Sequence, residues 1–365
     1  MLPRIAALTL LFACAADASE PVVPAGAADT PNAAQVALGR KLFFDRRLSF
    51  NGTVSCGMCH IPEQGFTHNE LATPVGIEGR SVRRNAPSLY DVADRHTLFH
   101  DGRETSLELQ VWSPLLAANE MGNPSIGFVL DRIAAAPDYA TRFAAAFAER
   151  PNVHNLGQAL AAYERTLLTN DSPFDRWYLR HESAALSADA ERGFAVFRSK
   201  GCTGCHTVGA DHTRFTDDLF HDTGIGYHAA LGRSRDVSRL QVAPGVVIDV
   251  RSQLRAPVAN DLGRYEITQA PVDRWKFRTP TLRNVALTAP YMHDGSLATL
   301  REVIAHYDAG GVPHDGQDPR IQPLALSQIE VSCLLAFLHS LTGANVSDLT
   351  RDARTAPVGD VGSVH

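Results

Sequence analysis

An all-α protein built from two similar halves is what this sequence predicts, and three observations carry that reading. Apolar residues recur mostly at helical spacing, with no convincing strand alternation beyond short pieces near Gln241 to Val250. The pentapeptide Cys-x-x-Cys-His occurs twice, as CGMCH at 56–60 and CTGCH at 202–206. Residues 86–111 also lie over 279–304 at a fixed offset of 193, without a gap and with 8 of 26 positions identical. Pro87/Pro280, Leu89/Leu282 and both His-Asp-Gly triplets are among the matches. Such a triplet inside a longer gapless match reads as internal duplication.

The chain has 365 residues and a formal net charge of −6, with 44% apolar and 20% charged residues. That length suits two domains with two buried cores. The mild acidity leaves no basic footprint, which excludes nucleic acid as a partner. Arg4, the apolar run Ile5 to Ala16 and the small-residue site Ala16-Asp17-Ala18 read as a signal peptide over 1–18. The run is too short to span a bilayer. Leu11-Phe12-Ala13-Cys14 loosely resembles a lipoprotein cleavage site, but Phe12 fits it poorly. A soluble periplasmic protein with no membrane span is therefore expected.

Residues 19–32 are Pro/Ala-rich and expected to be flexible. A helix over Ala33 to Phe44 leads to CGMCH. Two more helical segments follow within 123–170, one from Tyr139 to Glu149 and one after Asn155. The stretch from Asp171-Ser172-Pro173 to Ala185 reads as a connection, which sets the domains at 33–180 and 181–345. A helix opening at Ser187 leads to CTGCH, and 207–276, rich in Gly, Asp, His and Thr, reads mostly as loop. The last helix runs from Ser327 to Leu341. Ser327 and Glu330 give it a capping box, Ile329, Cys333, Phe337 and Leu341 an apolar stripe, and Gly343 a stop. Residues 346–365 are expected to form a flexible tail.

Of six cysteines, Cys14 falls in the signal peptide and Cys333 on an apolar helix face. Cys56, Cys59, Cys202 and Cys205 belong to the two pentapeptides, the attachment signature of c-type haem. Each cysteine pair forms two thioethers, and the adjacent His60 or His206 is the proximal iron ligand. A disulfide or one shared zinc also uses such pairs. Neither requires a histidine directly after each pair, and 141 residues separate the motifs.

Haem iron takes Met, His, Tyr or Cys opposite its proximal histidine. The helix after the second His-Asp-Gly triplet offers His306 and Tyr307. Subtracting 193 from Tyr307 lands on Pro114, which has no donor for a metal. One haem is thus expected to be six-coordinate and the other open. Gln110 and Glu120 flank Pro114, and a carboxylate there can move a proton between the oxygens of hydrogen peroxide. A solvated helix-end carboxylate is the plainer alternative for Glu120.

RNAPSLYDV, DGR, NEMG, TPTLRNVALTAPYMHDGS and LLAFLHSLTG together resemble the bacterial dihaem cytochrome c peroxidases, including their MauG branch, over roughly 33–343. The resemblance implies two all-α cytochrome c domains, each around one covalently bound haem. It implies that the His60 haem is peroxidatic, with Gln110, Pro114 and Glu120 in its distal pocket and His100 between the haems. It also implies a calcium ion held by Asn85, Thr288 and Pro290, and Tyr307 as second axial ligand of the His206 haem. Tyrosine there sides with MauG, where the peroxidases proper carry methionine.

Three departures stand out. Val75-Gly76-Ile77-Glu78-Gly79 lacks the loop histidine that gates many of these peroxidases, leaving His68 as the nearby alternative. His100 replaces a bridging tryptophan, and Lys200 replaces a surface tryptophan of MauG, which leaves Trp177 and Trp275 as candidate conduits. The function expected is reduction of hydrogen peroxide at the His60 haem, with electrons from a small cytochrome c or cupredoxin passing through the His206/Tyr307 haem. The alternatives are a MauG-like enzyme oxidising residues of a partner protein, or a plain dihaem electron carrier.

Overall fold

A helix is expected wherever an apolar stripe meets a side-chain cap, and most of this chain obeys that rule. The computed structural model describes residues 31–210, 213–231, 237–243, 246–251 and 260–356; the expected signal peptide, Cys14 included, lies outside them. The first helices are α1 (Ala33–Phe44), α2 (Cys56–Cys59), α3 (Leu107–Gln110), α4 (Trp112–Leu116), α5 (Ile126–Ala135), α6 (Pro137–Phe147) and α7 (Val153–Glu164). There follow α8 (Pro173–Tyr178), α9 (Ala188–Ser199), α10 (Ile225–Leu231), α11 (Tyr265–Thr268), α12 (Leu300–Asp308), α13 (Gln328–His339) and α14 (Val346–Ala353). Strands are few: β1 (Phe220–His221) pairs with β4 (Phe277–Arg278), and β2 (Val237–Ala243) with β3 (Val246–Arg251), both antiparallel. No described helix is long and apolar enough to cross a membrane.

Capping boxes start α1 at Asn32, α7 at Asn152, α8 at Ser172, α12 at Thr299 and α13 at Ser327. Each satisfies two orphan amides that would otherwise cost stability. From Asn32 onward the chain makes one compact unit, whose apolar interior falls into two large clusters and a small third one of Val92, Leu98, Leu107 and Ala161. The first is built on α1, α5, α6 and α7 and the second on α9, α12 and α13.

Two expectations need correction. Ile329 is not part of the apolar stripe of α13: it is 73% exposed, while Val331, Cys333, Leu334, Phe337 and Leu338 are buried. The stripe is set by what faces α9, not by the first apolar residue after the cap. Nor is 346–353 a loose tail. It forms α14, buries Ala353 against the first cluster, and is fastened by ion pairs of Arg40 with Asp352 and of Arg354 with Glu63.

Each half is closed by one helix crossing that only glycine permits. A Cβ on Gly39 of α1 would lie 1.8 Å from the Ala159 carbonyl oxygen of α7 and 3.1 Å from Tyr163. A Cβ on Gly193 of α9 would lie 1.9 Å from the Cys333 carbonyl oxygen of α13 and 2.8 Å from Phe337. The repeated segment also repeats its backbone. Asp91 and Asn284, Phe99 and Met292, and Gly102 and Gly295 all have positive φ, and the bridges Leu98–Glu104 and Tyr291–Leu297 are 193 residues apart.

Asp91 and Asn284 meet in one buried network. Thr169 gives Asp91 its backbone N–H (2.7 Å) and its hydroxyl (2.6 Å), and Asn284 Nδ2 donates to Thr169 (2.9 Å) and Asp91 (3.5 Å). Asn284 Oδ1 accepts from the Gly343 amide, and Arg283 grips Asp175 at 2.6 and 3.0 Å. Gly193→Ala is expected to destabilise the protein by about 1–3 kcal/mol or to prevent folding. Gly127→Ala, where a Cβ meets only Ser125 at 3.8 Å, should be neutral or slightly stabilising. Urea unfolding of both variants checks the pair.

Candidate functional site

Both pentapeptides fold as tight turns that present their histidine in the same way. α2 carries Cys56 and Cys59, and the His60 amide donates to the Cys56 carbonyl at 2.8 Å; Cys202 starts a 3-10 turn, and the His206 amide donates to Cys202 at 2.9 Å. His60 Nδ1 lies 3.0 Å from the Phe66 carbonyl and His206 Nδ1 lies 2.9 Å from that of Phe215. A second carbonyl faces each ring, Pro87 for His60 and Pro280 for His206. With the proton on Nδ1, each Nε2 keeps its lone pair for a metal. Burial lowers both imidazoles, His60 to about 4, so they stay neutral near pH 7.

The donor set fits covalently attached haem. No disulfide joins the five described cysteines, so the four in the pentapeptides are available for thioether bonds, and burial raises the Cys59 and Cys202 thiols to about 11. Arg95 gives two hydrogen bonds from Nη2, to Ser88 (2.6 Å) and Tyr90 (3.1 Å), while its buried Nε has no partner. Burial lowers this guanidinium to about 9, and its charge reaches His60. A buried cation short of an anion is what a haem carboxylate would complete.

Gln110 closes α3, Pro114 sits in α4, and Glu120 follows in the next turn. The Glu120 amide donates to Ala117 at 3.0 Å and the Met121 amide to Pro114 at 3.1 Å, so Pro114 and Glu120 share one loop anchored by buried Met121. The Glu120 charge is felt at Cys56 and Cys59, which puts it on the side of the first motif. Burial raises its carboxyl against the pull of Arg103. The loop of Gly76 and Ile77 lies directly on this turn. The Ile77 amide donates to the Glu120 carbonyl at 2.9 Å, and a Cβ on Gly76 would come within 2.2 Å of the Asn119 oxygen. His68 is buried near His60 and accepts from the Leu71 amide at 3.4 Å.

His100 lies where the halves meet. Its Nε2 is 2.9 Å from the Asn85 carbonyl, the Arg278 amide donates to the His100 carbonyl at 2.8 Å, and burial lowers the imidazole to about 3. Asn85 donates its backbone amide to His293 (2.8 Å) and its Nδ2 to Ala72 (2.9 Å), which leaves its side-chain oxygen as an acceptor. Thr288 and cis-Pro290 follow Leu287, whose carbonyl accepts from Asn69 at 3.2 Å; the expected calcium residues thus lie on adjoining segments.

On α12, His306 Nε2 is 3.1 Å from the Thr223 carbonyl and so is already engaged. Tyr307 is half-buried, and its phenol is raised by burial and by the nearby Cys205 and Cys202 of the second motif. Cys205, Asp217 and His221 have ligand atoms within 4.8 Å of one another, but Cys205 is committed to the pentapeptide. Arg95 and Glu164 escaped the sequence reading. Glu164 could have been found as the one acidic residue that the helical period turns inward at the end of α7.

The family model for di-haem cytochrome c peroxidases matches residues 33–184. The methylamine utilization protein MauG of Methylorubrum extorquens is 38% identical over 84% of this chain and 78% of its own length. Cytochrome-c peroxidase IdrP1 of Denitromonas iodatirespirans is 36% identical over 88% of this chain and 85% of its own. A crystal structure of a MauG-like protein associated with microbial copper homeostasis superposes with a TM-score of 0.70 at 32% identity, covering 87% of this chain and 91% of that one. The diheme peroxidase BthA of Burkholderia thailandensis gives 0.70 at 26% identity, with 87% of each chain covered.

His100 makes stability depend on pH. Its folded value lies below the ordinary histidine value, so the unfolded chain binds the proton first as pH falls. The cost is absent above about pH 6.5 and grows down to about pH 3. His100→Gln is expected to lose less stability than the parent between pH 7 and pH 5, by up to about 2 kcal/mol, in urea unfolding at both pH values.

Proposed function

The chain belongs to the dihaem cytochrome c peroxidase family, MauG among its relatives, and from that premise we propose a periplasmic dihaem c-type peroxidase that reduces hydrogen peroxide in its His60 half with electrons entering through its His206 half. It is an oxidoreductase of the cytochrome c peroxidase kind. The observation that carries the assignment is the contrast between Pro114 and Tyr307, which the repeat offset of 193 makes equivalent. The two halves are read as copies of one haem c domain, 33–180 and 181–345, supported by the recurring backbone and by the paired glycine crossings.

When bound through Cys56, Cys59 and His60, haem supplies the iron redox chemistry that cleaves the O–O bond. The residues around it set the conditions. Pro114 has no donor atom for a metal, so haem held by His60 would be left free to take peroxide. Glu120 takes the proton from the oxygen that stays and gives it to the oxygen that leaves, so that water departs. Gln110 donates a hydrogen bond that orients the peroxide. Two electrons and two protons complete the reduction to two waters. His206 and Tyr307 would hold the second haem, which would supply electron transfer, and a tyrosine ligand would lower its potential relative to methionine. Asn85, Thr288 and Pro290 are assigned to calcium, supported by the free Asn85 side-chain oxygen and the preference of that ion for oxygen ligands. A small cytochrome c or cupredoxin is the expected donor.

A second reading has a specific support. Tyr307 and the ungated Val75–Gly79 loop, packed through its backbone on Glu120, suit a MauG-like enzyme whose reductant is a residue of a partner protein. A plain electron carrier is disfavoured by Pro114.

One equivalent of hydrogen peroxide added to the oxidised protein tests the proposal by optical and low-temperature EPR spectroscopy. One high-spin and one low-spin ferric signal are expected, the former lost within seconds. Two low-spin signals that ignore peroxide would overturn it. Glu120→Gln should keep both starting signals and slow the loss about 10²–10⁴-fold by stopped-flow absorbance. Many turnovers with a small donor protein favour the peroxidase over the MauG-like enzyme.

A further inference from the structure

Glu164 ends α7 and is 6% exposed, and its Oε2 has no hydrogen-bond partner. No ion pair reaches it among the described residues, since Arg165, next in the chain, is held by Glu108 at 2.6 Å. Burying a carboxyl without partners costs several kcal/mol if it is charged and still costs when it is neutral. The second half shows that the fold does not need it. α9 crosses α13 as α1 crosses α7, with Gly193 on Cys333 and Phe337 matching Gly39 on Ala159 and Tyr163. One residue beyond Phe337 stands Leu338, in the second apolar cluster; one residue beyond Tyr163 stands Glu164. The same place in the framework holds a leucine in one half and an unpartnered carboxyl in the half with the open iron.

The groups around it are few. Within its electrostatic reach are Cys56 of α2, Glu108 of α3, Arg95 of the loop before α3, Tyr163 of its own helix and the cap residue Arg165. Arg40 of α1 and Asp352 of α14 act on Tyr163. The two arginines favour the charged form, whereas burial and Glu108 favour the neutral one. Burial wins, and the carboxyl is pushed up to about 8.

We propose that Glu164 couples proton uptake to electron arrival in the His60 half, taking one proton from solvent as one electron enters and releasing it as the electron leaves. This rests on the reading of that half as haem-bearing. Loss of one positive charge beside a buried carboxylate raises its affinity for a proton, and the linkage is reciprocal. Peroxide reduction consumes protons and electrons in equal number, so a group that gathers one with the other keeps the pocket neutral between the two deliveries. Glu164 acts through its field, as a positioning residue for charge.

The test is a spectroelectrochemical titration of the holoprotein, followed at the high-spin ferric signal from about pH 6 to about pH 10. It compares the parent with Glu164→Gln and with Glu164→Leu, which installs the residue of the other half. The parent midpoint is expected to fall as pH rises through about 8, by one proton per electron at its steepest, and to flatten in both variants. The reduced-minus-oxidised infrared spectrum should contain a carboxylic-acid C=O band that both variants lose. An unchanged slope with the band retained overturns the proposal. Absence of any high-spin signal in the parent sinks instead the assignment of an open His60 haem, so the two failures are distinguishable.

Discussion

Asp91 and Asn284 stand at the same position of the repeated segment, both in left-handed backbone, and they share Thr169 between them. Around that contact the chain spends several buried polar groups: a carboxylate, an amide, a threonine and the Arg283–Asp175 pair. Fully satisfied networks of this kind are stiff, and leaving any one member unpaired costs about 1–3 kcal/mol. The network touches the end of α7 through Thr169, the start of α8 through Asp175 and the stop after α13 through Gly343. Asn85 and His100 flank Asp91 on the same segment, and Thr288 follows Asn284 within about one turn. The geometry between the two motifs is therefore fixed at the repeat, not at the motifs.

Much of this was legible before any coordinates. CGMCH and CTGCH announce their chemistry because thioether attachment and axial ligation demand those residues at that spacing. α1 and α13 were readable because their caps and stripes act within one or two turns. α14 was not. Val346 to Ala353 gains its order from Ala353 against the first core and from Arg40 and Arg354, partners about 300 residues apart in sequence from theirs. Ile329 misled for a related reason: periodicity says that a face is apolar but not how far the neighbouring helix reaches along it. Gln110, Pro114 and Glu120 were singled out by offset and resemblance. Glu164 and Arg95 were not, because a buried charge among apolar neighbours has no motif.

The two halves use one framework for opposite ends. Identical glycine crossings and identical histidine-to-carbonyl hydrogen bonds give each pentapeptide the same setting. Among the many side chains that differ, four stand at matched places near the motifs: proline against tyrosine at 114 and 307, and glutamate against leucine at 164 and 338. Division of labour needs no new architecture when the sixth ligand alone decides whether an iron binds a small molecule or passes electrons.

The buried thiols also bear on how such a chain matures. Thiol oxidation proceeds through the thiolate, and burial keeps Cys59 and Cys202 protonated far above neutral pH. Where a Cys-x-x-Cys pair would otherwise close on itself, the first pair, Cys56 and Cys59, therefore resists disulfide formation in a folded but unmodified chain. The vulnerable interval is the one before folding. Haem attachment to this pair then competes with thiol oxidation chiefly in the extended chain.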